Sequence, residues 1–235
     1  LKNLDFTRQE ERKSGFPISA KLVEREITIN AGTIQCAEYA IKYGVSLNIA
    51  GGTHHAYSDR AEGFCLLNDI AIAARYLLDA NLASKVLVID LDVHQGNGTA
   101  EIFRENDSVF TFSMHGEKNY PLKKEKSDLD IGLPDGTNDE AYLNLLIETL
   151  PRLVKNQQPD FIFFQSGVDV LETDKLGRLS LTIDGCRKRD EVVFQTALQN
   201  SIPIVASMGG GYSENIKIIL EAHANTYRTA KELFF

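Results

Sequence analysis

Lys85-Val86-Leu87-Val88-Ile89-Asp90-Leu91-Asp92-Val93-His94-Gln95-Gly96-Asn97-Gly98 is the stretch that decides the fold of this chain. Its apolar, β-branched start reads as a strand buried on both faces, the kind found inside parallel sheets. At Asp90 the run turns abruptly into two carboxylates and an imidazole, so the strand opens into a loop that carries chemistry. Residues two apart on a strand project to the same side, which makes Asp90, Asp92 and His94 one polar row. Carboxylates with an imidazole form a borderline-hard ligand set suited to a divalent metal such as zinc.

Working outward, similar runs recur at residues 45–50, 108–113, 160–166 and 203–208, each bounded by Gly, Asp, Asn or Pro. Segments of helical period lie between most of them, at 27–43, 67–80, 99–106, 139–156, 184–200 and 214–231. Asn138 or Asp139, Asp184 and Ser213 are suitable N-caps. Alternating strand and helix predicts an α/β fold, a three-layer α/β/α arrangement with a mostly parallel sheet, since parallel neighbours need a crossover helix. Active sites in such sheets gather at the carboxyl ends of the strands. The charged stretch 118–130 reads as a long surface loop.

With 235 residues, 43% of them hydrophobic and 25% charged, the chain can bury one large core, and 1–235 reads as a single domain. A formal net charge of -8 argues against direct binding to nucleic acid. Cys36, Cys65 and Cys186 show neither disulfide nor C-x-x-C spacing, which suits a reducing cytoplasm. No apolar stretch is long enough for a membrane span and the start is no signal peptide. Gly96-Asn97-Gly98 begins like a dinucleotide fingerprint, but Glu101 takes the third glycine's place and would repel a pyrophosphate. Cys65, inside an apolar run, reads as a small buried hydrophobe; His115 is expected beneath the site and His223 on a solvated helix. Neither histidine is assigned a role.

Five strand ends carry polar or glycine residues: 51–55 with His54 and His55, 90–98, 113–115, 165–169 with Asp169, and 208–212 with Gly209-Gly210-Gly211-Tyr212. In a parallel sheet they share one edge. Metal-assisted hydrolysis needs three protein ligands with a position left for water, a base for the water's proton and a donor for the developing oxyanion. Asp92, His94 and Asp169 would be the ligands, one of His54 and His55 the base, and Tyr212 the donor, its approach eased by the glycines. Asp90 and Asn97 could each bond the far nitrogen of a histidine and fix its tautomer.

The ordered set GGTHHA, EGFCLLND, DLDVHQGNGT, FSMH, QSGVD and MGGGY, at 51–56, 62–69, 90–99, 112–115, 165–169 and 208–212, resembles the histone deacetylase family, the arginase/deacetylase group of amidohydrolases. The resemblance runs from about Arg12 to the C-terminus. It implies one zinc ion on Asp92, His94 and Asp169, Tyr212 polarising the carbonyl, His54 paired with Asp90, and His55 as general base and acid. Where the family often places an aspartate behind the second histidine this chain has Asn97, which should lower the basicity of His55. The resemblance also implies an acyl-lysine tunnel walled by Gly63, Phe64 and Gly210, with the 119–121 region opposite, and a structural potassium ion near Asp90, Asp92, His94, Ser113 and Met114. The implied substrate is an acylated lysine or related acylated amine, acetyl first. Two departures stand out: the family's domain begins with a strand that precedes the material seen here, and no rim aspartate for gripping a peptide backbone is found in 10–17. An arginase-like two-metal ureohydrolase and a catalytically inactive binding module of the same fold are the competing readings.

Overall fold

The computed structural model describes residues 3–235. In chain order its elements are α1 (Arg8–Ser14), α2 (Ala20–Tyr43), β1 (Val45–Asn48), α3 (Asp69–Asp79), β2 (Val86–Asp90), α4 (Asn97–Phe103), β3 (Val109–Gly116), β4 (Leu129–Leu133), α5 (Asp139–Gln157), β5 (Phe161–Gln165), α6 (Ile183–Gln199), β6 (Ile204–Ser207) and α7 (Ile216–Phe234). The six strands form one sheet in the order β1-β6-β5-β2-β3-β4, with every neighbouring pair parallel. The expected three layers follow from strand alternation. Leu87 and Ile89 of β2 join a core with α5, α6 and α7, whereas Val86 and Val88 join a second core with α2 and α3. Two buried faces leave no room for polar residues inside the strands, which explains their continuous apolar runs.

The register explains where polarity returns. Asn48 aligns with Ser207, Ser207 with Gln165, Gln165 with Asp90, Asp90 with Ser113, and Ser113 with Asp130. A single polar row therefore crosses all six strands at one level. The chain leaves β2 toward β3 and β4, then returns to lay β5 on β2's other side, so the strand order reverses between β2 and β5. That is the switch point at which open α/β sheets place their ligands.

Several local expectations are corrected. Thr182 rather than Asp184 caps α6, accepting from the Gly185 N–H at 3.0 Å, while Asp184 lies in the first turn and pairs with Lys188. Asn215 caps α7, and the Ser213 hydroxyl is bonded to Thr173 Oγ1 at 2.7 Å. The 118–130 loop ends in a strand, β4, whose alternating exposure marks a sheet edge. Helix α1 was missed, although Thr7 and Glu10 form a capping box that the sequence spells out. His223 is buried against the expectation of a solvated position, because it faces inward from α7. His115 is buried as expected, its Nδ1 2.9 Å from Ser113 Oγ.

Candidate metal centre and its cavity

The loops after β1, β6, β5 and β2, four adjacent strands, supply the site. Backbone bonds continue the ladder past the strand ends and fix these loops to one another: Ser166 N–H to Ser207 O at 3.0 Å, Val168 N–H to Gly210 O at 2.7 Å, and Leu91 N–H to Gln165 O at 3.2 Å. Asp92 and His94 descend from β2, and Asp169 from β5. Their donor atoms lie within 4.8 Å of one another, and all three residues are buried. His94 Nδ1 is 3.1 Å from Asp92 Oδ1 and 3.1 Å from Asp169 Oδ2. The backbone orients both carboxylates, with Val93 N–H donating to Asp169 Oδ1 at 2.9 Å and Gly210 N–H to Asp92 Oδ2 at 3.1 Å. Gly167 and Gly210 have to be glycine, since a Cβ on either would overlap an Asp92 or Asp169 carboxylate.

Two buried carboxylates this close repel each other unless a cation intervenes. Among the described residues no Lys or Arg lies within 4.0 Å of either; their cationic neighbours are the imidazoles of His94 and, at 3.8 Å from Asp92, His54. Burial, followed by repulsion from Asp92, pushes the Asp169 carboxyl up. Burial opposes a charge on His94, but Asp169 and Asp92 outweigh it and raise the imidazole to about 10. The group thus draws positive charge to itself. Two carboxylates and an imidazole, converging and buried, fit a divalent ion with a position left for water.

His54 and His55 stack beside this group with ring centroids 4.0 Å apart, yet their environments differ. His54 Nδ1 bonds Asp90 Oδ2 at 2.7 Å; burial works against its charge, but Asp90 and Asp92 prevail and lift it to about 9. His55 Nδ1 bonds Asn97 Oδ1 at 2.6 Å, and burial with the neighbouring His54 charge holds it well below the usual histidine range. The Asn97 amide nitrogen faces Tyr57 OH at 3.0 Å and Glu62 Oε1 at 3.4 Å. A carboxylate can only accept, so Oδ1 is the atom turned to His55, Nδ1 carries the proton, and Nε2 keeps its lone pair.

A cavity of about 440 Å³ rises from His55, His94 and Tyr212 past Phe64 and Tyr120 to the surface. A second, of about 300 Å³, continues from the same three residues to Asp92, Asp169 and Gly210. Gly63 and Phe64 both have positive φ, at 56° and 64°. A Cβ on Gly63 would come 2.7 Å from the His55 ring, and the Phe64 conformation is held by its N–H bonding Ser14 O at 2.9 Å. Tyr120 meets the His55 ring edge-on at 5.0 Å. Burial, then the Asp92 and Asp169 charges, pushes the Tyr212 hydroxyl up, so it remains a proton donor. For the monovalent cation the structure adds only that Asp90 and Ser113 are cross-strand neighbours, with Met114 buried beside them.

Sequence reasoning missed Arg189. Its guanidinium, with no exposed surface, donates to Leu91 O at 3.2 Å, Gly167 O at 2.6 Å and Ser166 O at 3.1 Å, and pairs with Asp190 at 2.7 Å. Asp190 in turn accepts from Thr226 Oγ1 at 2.6 Å. One side chain of α6 therefore clasps the two loops that carry Asp92, His94 and Asp169. The signal was present: Cys186, Arg189, Asp190, Val193, Phe194 and Ala197 share the buried face of α6, where adjacent charges need a specific partner.

The histone deacetylase domain matches residues 2–227. An uncharacterized protein of Picosynechococcus sp. is 43% identical over 97% of this chain and 76% of its own length. Histone deacetylase 2 of Arabidopsis thaliana is 34% identical over 84% of this chain, and human histone deacetylase 1 is 35% identical over 80%. The chain spans 52% and 39% of those two relatives. Among solved structures, the HD domain of HDA15 superposes with a TM-score of 0.77 at 25% identity, covering 92% of this chain and 64% of that one.

Proposed function

The chain belongs to the histone deacetylase family, and from that premise we propose that residues 1–235 form one catalytic unit, a zinc-dependent amidohydrolase that removes an acyl group, acetyl first, from a lysine side chain or a related amine. The carrying observation is that Asp92, His94 and Asp169 converge beside the His54–His55 pair where an open cavity ends. Asp92, His94 and Asp169 would hold the zinc ion, which would supply Lewis acidity to a water and to the scissile carbonyl.

The chain's own groups divide the remaining work. The acylated amine enters between Phe64 and Tyr120, whose rings exclude water from its methylenes. His55, neutral with a free Nε2 lone pair, takes a proton from the attacking water and returns it to the departing amine. His54, kept charged by Asp90, adds a fixed positive potential without giving up its proton. Tyr212 donates its hydroxyl to the oxygen that becomes negative as the carbonyl carbon turns tetrahedral. A second, bridging ion of the arginase kind finds little support: Asn97 is committed to His55, and Val170 and Leu171 after Asp169 are buried and apolar. The three free thiols are compatible with a cytoplasmic site of action, and among the described residues no helix is long and apolar enough to cross a membrane.

The test combines metal analysis of purified protein with a panel of acetyl-lysine, acetylpolyamine and arginine substrates, using a hydroxamate chelator as control. Expected are one zinc per chain, acetate release blocked by the chelator, and loss of stoichiometric zinc in Asp169→Ala or His94→Ala. Urea from arginine with two ions per chain would move the assignment to the ureohydrolases. Metal-free, inert protein would leave a binding module.

A further inference from the structure

The cavity that reaches His55 and His94 is apolar inside and basic at its mouth. Phe64, Tyr120, Leu176 and Tyr212 give it exposed apolar surface; Arg12, Lys13, Lys118 and Arg178 are its charged lining residues, and no Asp or Glu takes part. In a chain with 33 acidic and 25 basic residues, chance placement would favour carboxylates there, so the sign of the mouth opposes that of the molecule.

These cations have few direct ion-pair partners. Arg12 and Lys13 have no carboxylate within 4.0 Å among the described residues, and Lys118 and Arg178 share the single Asp135, at 3.8 and 3.2 Å. Nearby acids are engaged elsewhere. Glu10 caps α1 through Thr7, Glu11 accepts from the Ile18 N–H, and Asp174 accepts from the backbone of Leu176, Gly177 and Tyr212. Glu62 is bonded by Arg60, Asn97 and Tyr120. The segment 10–17, which offers no rim aspartate, thus brings two cations to the mouth instead.

We propose that the preferred substrate is an acyl-lysine within an acidic peptide segment, recognised by the Arg12–Lys13 pair and the Lys118–Arg178 pair, rather than a polybasic tail or a polyamine. This rests on the hydrolase reading of the same cavity. Position separates the flanks from the acyl group: the cations are exposed while the metal-binding triad is buried, so the carboxylates they meet lie outside the scissile amide. The two pairs come from separate segments, α1 and the loops after β3 and β5. A peptide acidic on both sides of the acyl-lysine answers both pairs; free acetyl-lysine has one carboxylate to offer. Single exposed ion pairs contribute little, but like charges around a low-dielectric cleft sum into a field that selects by sign.

The experiment compares fluorescent acetyl-lysine peptides flanked by Glu, Gln or Lys, together with free acetyl-lysine and acetylspermidine. Binding is read by anisotropy and turnover as kcat/KM, at low and high ionic strength. Expected is an order of preference Glu, Gln, Lys spanning about tenfold or more at low salt and narrowing at high salt, with acetylspermidine poorest. Arg12→Glu with Lys13→Glu should reverse the order, and Arg178→Glu should weaken it. Equal or better binding of Lys-flanked peptides or acetylspermidine by the unaltered protein overturns the proposal, as does free acetyl-lysine matching the Glu-flanked peptide. Because binding and turnover are measured separately, protein that prefers acidic peptides without cleaving them sinks the hydrolase reading alone, and cleavage with a Lys preference sinks the rim alone.

Discussion

At the scale of single residues, one atom's partner decides a role. His54 and His55 are adjacent, chemically identical and both disfavoured as cations by burial; the Asp90 and Asp92 charges overcome that at His54, whereas at His55, bonded only to an amide oxygen, burial and the His54 charge prevail, so their proton affinities fall on opposite sides of neutrality. A pair with affinities driven apart can divide labour between a fixed charge and a proton carrier. In the proposed reaction Tyr212 is the counterpart on the carbonyl side. Replacing it with Phe keeps the ring against the cavity and removes only the hydroxyl, so Tyr212→Phe should retain zinc and lose roughly a hundredfold or more in kcat, as for removal of one oxyanion donor. Single-turnover kinetics with parallel metal analysis checks this, and near-normal turnover would take Tyr212 out of the reaction. Both histidines, the tyrosine and the three ligand candidates were legible in the sequence because each sits just past an apolar run, where a polar residue is conspicuous. Which histidine has which partner was not legible from spacing, since Asp90 and Asn97 lie 36 and 42 positions away from them.

At the scale of elements, α6 is the one whose role the strand-end pattern hides. It carries the Arg189–Asp190 pair on its buried face and, through three carbonyls, holds the loops after β2 and β5 in their mutual position. Removing one partner of a buried ion pair leaves an uncompensated charge and unpaired carbonyls, which costs more than the pair adds over an apolar equivalent. Arg189→Met is therefore expected to destabilise the fold by about 3–5 kcal/mol and to weaken zinc uptake, whereas Arg189→Met with Asp190→Leu should recover much of the stability. Denaturant unfolding of both variants, beside zinc titration, makes the measurement; a double variant no more stable than the single would show that the charge pair is not the cause. Helix α1 is instructive for a different reason. Its capping box was written in the sequence, but seven residues give too short a period to stand out, and its contribution, supporting Phe64 through Ser14, needs the fold to be seen.

At the scale of the whole molecule, burial of titratable groups makes stability depend on pH. His115 and His223 are both buried and sit at about 4, each lowered first by burial and then by a nearby cation, Lys124 for His115 and Arg189 for His223. A base depressed in the folded state stays neutral while its unfolded counterpart takes a proton, so stability is full above about 6.5 and is lost as pH falls toward about 4. His54, raised to about 9, has the opposite sign: its contribution is full below about 6.5 and is lost as pH rises from there through about 9, on the alkaline side of this window. His223→Leu should remove about 1–2 kcal/mol of the stability difference between about pH 7 and pH 5, read from denaturant midpoints; an unchanged difference would mean that other groups carry the acid sensitivity. The sequence by itself determined the layers, five of the six strands and the loops that carry the candidate ligands, because hydrophobic alternation and the sudden polarity at strand ends are properties of neighbouring residues. Only the tertiary structure decided that β4 closes the sheet edge, that Arg189 clasps loops up to 98 positions away, and that four cations ring the cavity. Those features are made by residues distant in the chain, whose meeting depends on how the sheet orders its strands and how helices pack upon it, and no local pattern encodes that.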